Sequence, residues 1–160
     1  MQVIRKMNIN TILIVIFFIC SVIVSVSDIQ TFHISLAANY IGLFLCIITL
    51  LISSILGKSY NSFLNHFLGA VCLFLVFLLV RIIAHKGIGW GDLQYSLFCG
   101  FISGIPSFII ASLLSAILGI ICFFIIRVIK KRSVQALRIP FTPFMFIGTT
   151  ITYFIHITII

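Results

Sequence analysis

Acidic side chains are almost missing from this 160-residue chain: Asp28 and Asp92 are the only two, and glutamate is absent. Charged residues of either sign make up 8%, against about 25% in an ordinary soluble domain. Such poverty of charge, with 62% hydrophobic residues and a mean hydropathy of +1.38, excludes a water-soluble globular domain and a disordered chain. Neither carries so much apolar surface without an apolar solvent. Paired cysteines are missing too. Cys20, Cys46, Cys72, Cys99 and Cys122 each stand alone in an apolar stretch, with no C-x-x-C and no Cys/His cluster. That argues against a metal site and for buried free thiols acting as small hydrophobes. With two acids in the chain, any carboxylate chemistry must use Asp28, Asp92 or both.

What is plentiful is phenylalanine, 17 residues, and basic charge, 10 Lys and Arg for a net +8. In a membrane protein, basic residues serve as topology signals at the cytoplasmic face. A nucleic-acid partner is therefore not the first reading of the charge. A spanning helix needs about 20 apolar residues, so the chain has room for about six spans in one domain over residues 1–160 and little else. The expectation is an all-α integral membrane protein of about six transmembrane helices, the fourth short.

The segments run from about Asn8 to Ser27, Ser35 to Leu56, Phe63 to Ala84, Leu93 to Gly104, Ser107 to Ile129 and Phe144 to Ile160. Arg5 and Lys6, the apolar run from Thr11 and Ser25-Val26-Ser27 together have the pattern of a cleaved signal peptide. Its length instead favours a retained span. His85 to Asp92 is the most glycine-dense stretch. The fourth segment covers only about 18 Å as a helix, less than the roughly 30 Å hydrocarbon core. It is either a tilted short span or re-entrant. Ser96, Gly100 and Gly104 recur every four residues along it, a face on which another helix can approach closely.

If all six segments span, Arg5, Lys6 and Lys58 share one side, and Arg81, Lys86, Arg127, Lys130, Lys131, Arg132 and Arg138 the other. Seven against three predicts the second side to be cytoplasmic. Asp28 closes the first segment and Asp92 opens the fourth, with two spans between them. Both therefore face the same side, the cytoplasmic one.

An ionisable residue at membrane depth is expensive and is a functional candidate by default. Each aspartate also has a plainer explanation. Asp28 can be solvated or paired with Arg81 or Lys86, and Asp92 can cap the fourth helix. Together they suggest more, because two close carboxyls share a proton. One then acts as base on a water while the other polarises a peptide carbonyl and protonates the leaving amine. That chemistry needs no metal and no cofactor. Gly89 and Gly91 would let a substrate strand approach the backbone. The four histidines are scattered and no G-x-S-x-G occurs.

Gly89-Trp90-Gly91-Asp92, placed before a short helix, resembles the G-x-G-D motif of the type IV prepilin peptidases, a family of aspartyl intramembrane proteases. Asp28-Ile29, with Ile34 six residues beyond Asp28, is similar to the family's first catalytic segment, and Ile139-Pro140-Phe141-Thr142-Pro143-Phe144 to its late Ile-Pro-Phe-Gly-Pro segment. The resemblance implies a peptidase that removes a short basic leader from prepilin-like substrates at the cytoplasmic face of, by family, the bacterial inner membrane. Asp28 and Asp92 would be catalytic, and Gly89, Gly91, Gln94, Pro140, Phe141 and Pro143 would meet the substrate. Pro140 and Pro143 have an equally simple reading as helix starters. The chain departs from the family pattern at Ser35 and Leu36 (usually Pro-Asn), at Gln94 (usually Lys) and at Thr142 (usually Gly). It lacks the C-x-x-C domain of longer members, which implies peptidase without methyltransferase activity. Two competing readings are an ion-coupled transporter using both acids and an inactive subunit of a pilus or secretion assembly. The intact G-x-G-D and the retained Asp28 favour the enzyme.

Overall fold

A computed structural model describes residues 2–55, 60–83, 88–130 and 140–159. Six helices run in order: α1 (Gln2–Thr31), α2 (Leu36–Ile55), α3 (Tyr60–Ile83), α4 (Trp90–Ser103), α5 (Ser107–Lys130) and α6 (Thr142–Ile159). Four of them, α1, α2, α3 and α5, hold stretches of 20 to 22 residues long and apolar enough to cross a membrane. Their outer faces carry exposed Phe, Ile, Leu and Val in quantity, such as Phe44, Leu79, Ile83 and Phe124. This outward-facing apolar surface is what a bilayer solvates. The expected segments are all present, most with ends within three residues. The exception is α1, which is longer at both ends and encloses Asp28 in its last turn. The basic stretch 131–138, His85, Lys86 and the turn at 57–59 lie outside the described residues.

The helices pack most closely as three hairpins: α1 with α2, α3 with α4, and α5 with α6. The short α4 sits in the middle and touches all five others. Its sequence accounts for this position. Leu93, Tyr95, Ser96 and every residue from Phe98 to Ser103 are buried, so α4 is enclosed on all sides, as a core helix is. At 14 residues it is about 21 Å long. It starts at the same end of the bundle as the end of α1.

Small residues set the α3–α4 spacing. A Cβ on Gly69 would lie 2.6 Å from the Gly100 carbonyl oxygen and from the Gly104 Cα. One on Gly100 would lie 2.5 Å from the Gly69 oxygen. The two backbones thus touch at a glycine seam, on the face of α4 that carries the four-residue repeat. Phe17 and Phe98 meet edge to face, with centroids 5.0 Å apart, and lock α1 onto α4 from the other side.

Along α1, Leu13, Phe17, Ser21, Val24, Ser25 and Asp28 are all buried. They recur at helical spacing and form one inward stripe. Asp28 is the last residue of that stripe.

Candidate active site

Asp28 is 6% exposed and lies in the last turn of α1, where the helix dipole is unfavourable to an anion. Helix α1 stops three residues on. Phe32 takes a left-handed conformation, φ 54°, and its N–H still donates to the Asp28 carbonyl at 2.9 Å. A non-glycine residue in this region is strained. Side chains over-determine the turn: the Thr31 hydroxyl donates to the Ser27 carbonyl at 2.8 Å, and the Ser27 hydroxyl to the His33 carbonyl at 2.8 Å. The chain is thereby turned sharply back towards Ile34, which packs on Gly91.

Asp92 is the third residue of α4, after the N-cap Gly89. Its Oδ2 accepts the Gly89 N–H at 3.3 Å. This is half of a capping box, since glycine has no side chain to return the bond. The cap and the G-x-G-D segment are therefore one device, which fixes the carboxyl by its own backbone. Arg81 at the end of α3 braces that segment from outside. Its guanidinium donates to the Ile88 carbonyl and lies 4.4 Å over the Trp90 ring.

The two aspartates meet at Thr142, the first residue of α6. The Thr142 N–H donates to Asp28 Oδ2 at 3.2 Å, and its hydroxyl donates to Asp92 Oδ1 at 3.4 Å. Thr142 is fully buried. The only two acids of the chain, 64 positions apart, are thus held by one residue at the junction of three helix ends. The Asp92 carboxyl is pushed up to about 6, first by burial and then by the nearby Asp28 charge; the bonds from Gly89 and Thr142 oppose the rise. A carboxyl so placed carries a proton at a pH where an ordinary aspartate has lost it.

The remaining expected site residues fall around this pair. Gly89 is exposed beside Asp92, and a Cβ there would lie 3.1 Å from Asp92 Oδ2. Gly91 faces inward instead: a Cβ would lie 2.9 Å from Ile34 Cβ. Its missing side chain makes room for the turn after α1. The Gln94 carbonyl accepts from the Asn39 side-chain amide at 3.2 Å, which ties α4 to α2. Pro140 and Phe141 are partly buried just before α6. The Phe141 carbonyl accepts from Phe144 and Met145 N–H, and its ring lies 5.9 Å from that of Phe77. Pro143, in the first turn of α6, needs no N–H partner. Asp28 pairs with Thr142 rather than with Arg81; Lys86 lies outside the described residues. Among the described residues no three His, Cys or Asp side chains converge as metal ligands. Sequence reasoning named Thr142 only as a departure from the family pattern and did not place it between the two aspartates, where the structure puts it. Its signal was present as the departure from glycine in the Pro-Phe-x-Pro segment.

A polytopic helical bundle whose acids converge at helix ends defines an integral membrane protein with a carboxylate-pair site. The sequence model of the type IV leader peptidase family matches residues 15–124, and the chain belongs to that family. It is also similar to the "Prepilin leader peptidase/N-methyltransferase" of Bacillus subtilis (strain 168), 28% identical over 139 residues. The alignment covers 87% of this chain and 54% of that relative, so the chain spans about half the length of the relative it matches. No solved structure matches. The family match includes Asp28 and Asp92 and ends before Thr142.

Proposed function

We propose that this chain is an aspartic endopeptidase that cleaves the leader peptide from prepilin-like membrane substrates at the cytoplasmic face of the bacterial inner membrane. The observation that carries the reading is the convergence of Asp28 and Asp92 on Thr142, within a member of a peptidase family. In the reaction, the ionised aspartate takes a proton from water as the water oxygen bonds to the scissile carbonyl carbon. The protonated aspartate polarises the carbonyl oxygen, then gives its proton to the leaving nitrogen as the C–N bond breaks. Proton return from the first aspartate to the second resets the pair.

Gly89 is the open edge next to Asp92, and with Pro140 and Phe141 it forms the border along which the substrate runs. Gln94, Gly91 and Pro143 act through the backbone that holds this border. The excess of Lys and Arg on the same side as the aspartates supports a cytoplasmic orientation. The placement of the pair at helix ends favours a peptidase over a transporter, whose sites lie near the bilayer midplane. The test is co-expression of wild type, Asp28→Asn and Asp92→Asn with leader-bearing prepilins, read by mass. Leader loss with wild type alone is expected. Full processing by both variants overturns the reading.

A further inference from the structure

Many buried hydroxyls in this bundle close on a carbonyl of their own helix. Ser96 donates to Leu93, Ser103 to Cys99, Ser115 to Ala111 and Thr152 to Gly148, at 2.7 to 2.9 Å. Three others do not. Among the described residues Ser21 Oγ, Ser25 Oγ and the Tyr95 hydroxyl are buried without a hydrogen bond. Asn39 Oδ1 is the one further such atom, and the nitrogen of its amide is held by the Gln94 carbonyl. Ser21 and Tyr95 are 0% exposed and Ser25 is 7% exposed. The three hydroxyls share one region. Ser21 and Ser25 lie one turn apart on the inward stripe of α1 that ends at Asp28. Tyr95 stands three residues beyond Asp92 on α4, and its hydroxyl faces Ser21 and Cys99. They therefore sit deeper in the bundle than the two carboxyls, on the side away from the exposed Gly89.

A hydroxyl without a partner in an apolar core is costly. Buried water is the usual partner of such groups and makes about three hydrogen bonds. Each of the three hydroxyls both donates and accepts, as water does, and none carries a charge that would select an ion. We propose that Ser21, Ser25 and Tyr95 form a binding site for a buried water, and that this site is the reservoir of the hydrolytic water behind the carboxyl pair. The use of that water rests on the aspartic-peptidase reading; the site itself does not. Hydrolysis consumes a water for each peptide bond broken. A substrate strand along the open edge at Gly89 covers the carboxyls from the solvent side. Water held near Ser25 is one helical turn from Asp28 and reaches the ionised member of the pair without crossing the substrate. Its oxygen then bonds to the scissile carbonyl carbon and its proton goes to that carboxylate. Ser21, Ser25 and Tyr95 are positioning residues in this scheme, since they hold the water and touch no reacting carbon.

X-ray footprinting of the full chain in lipid nanodiscs tests the site directly. Radiolysis turns a bound water into a hydroxyl radical that oxidises the adjacent side chain, and mass spectrometry reads the product. Wild type, the double variant Ser21→Ala with Ser25→Ala, Ser25→Ala, Ser25→Thr and Tyr95→Phe are compared. Ser96→Ala is the control, because that buried hydroxyl already bonds the Leu93 carbonyl. Oxidation of Tyr95 in wild type is expected to exceed that of Phe101, a ring of similar burial. It is expected to fall to the Phe101 level in the double variant and to stay unchanged in Ser96→Ala. The double variant is also expected to lose about fivefold in kcat for leader cleavage, the effect of one ordinary hydrogen bond, with KM changed less than about twofold. Tyr95→Phe loses rate in the same way, and Ser25→Thr keeps both labelling and rate. The proposal is overturned if Tyr95 is oxidised no more than Phe101 in wild type, or equally in wild type and the double variant. If oxidation falls and kcat does not, the reservoir role is overturned, because the water is then structural. If Ser25→Thr is impaired as Ser25→Ala is, shape rather than the hydroxyl decides, and the proposal is overturned. Full cleavage by both Asp28→Asn and Asp92→Asn overturns the underlying peptidase reading instead. The two failures are distinguishable because footprinting needs no cleavage.

Discussion

The Thr142 N–H donates to the Asp28 carboxylate across 3.2 Å and 114 positions of sequence. Thr142 opens α6, so Asp28 serves α6 as an N-cap supplied by another helix. The first turn of α6 is thereby complete: Pro143 has no N–H, and Phe144 and Met145 donate to the Phe141 carbonyl.

A first prediction separates this cap from the chemistry. Asp28→Ala removes the acceptor and is expected to cost about 1 kcal/mol of stability, as for other lost caps. Asp28→Asn keeps an amide oxygen that accepts the same bond. It is expected to unfold in detergent within about 2 °C of wild type while losing cleavage. Thermal unfolding alongside leader cleavage checks both halves.

The pH profile follows from Asp92. Its value of about 6 lies above the ordinary 3.8, so the folded protein holds a proton there that the unfolded chain has lost. The sign is that this group's contribution to stability is greatest below about 4 and falls as pH rises to about 6. If Asp92 is the protonated member of the proposed pair, cleavage is expected to decline as pH passes upward through about 6, where Asp92 gives up its proton. Asp28→Asn should lower the Asp92 titration only part of the way, because burial is the larger cause. A cleavage rate that keeps rising well above that pH would contradict the assignment.

The glycine seam makes a third prediction. A Cβ at Gly100 meets backbone atoms of α3, the Gly69 oxygen at 2.5 Å and the Ala70 Cα at 2.8 Å. Backbone cannot yield as a side chain does. Gly100→Ala is expected to cost about 1–3 kcal/mol, the usual penalty of overpacking. It should also lower cleavage by displacing the helix that carries Asp92. Unfolding temperature and rate measured on the same preparation check this.

Gly91 and Ile34 predict a coupled pair. A Cβ at Gly91 would lie 2.9 Å from Ile34 Cβ and Cδ1. Gly91→Ala alone should impair cleavage by displacing the turn after α1. Ile34→Ala should restore part of it, giving a coupling of about 0.5–3 kcal/mol in a double-mutant cycle. Additive effects would show that the two residues act independently.

Much of the architecture was legible because apolar runs of membrane length announce themselves. The breaks at Gly57-Lys58 and Gly104-Ile105-Pro106 lie within a few residues of the observed helix ends. The common side of Asp28 and Asp92 was legible from parity alone. The extension of α1 was not, because Asp28 reads as the close of the apolar segment, whereas Thr31 and Ser27 satisfy the helix end with their own hydroxyls. Asp92 reads as an N-cap; the structure shows it three residues after the cap, where its carboxylate accepts the N–H of the N-cap Gly89. The inward face of Gly91 depends on Ile34, and the role of Thr142 on contacts 50 and 114 positions away. No local pattern encodes those distances.

Each of the three hairpins supplies one member of the site: Asp28 from the first, Asp92 from the second and Thr142 from the third. No single hairpin holds all three. A chain entering the membrane one hairpin at a time therefore brings these three residues together only when the last hairpin has docked, so on the proposed reading assembly itself is the step that arms the site.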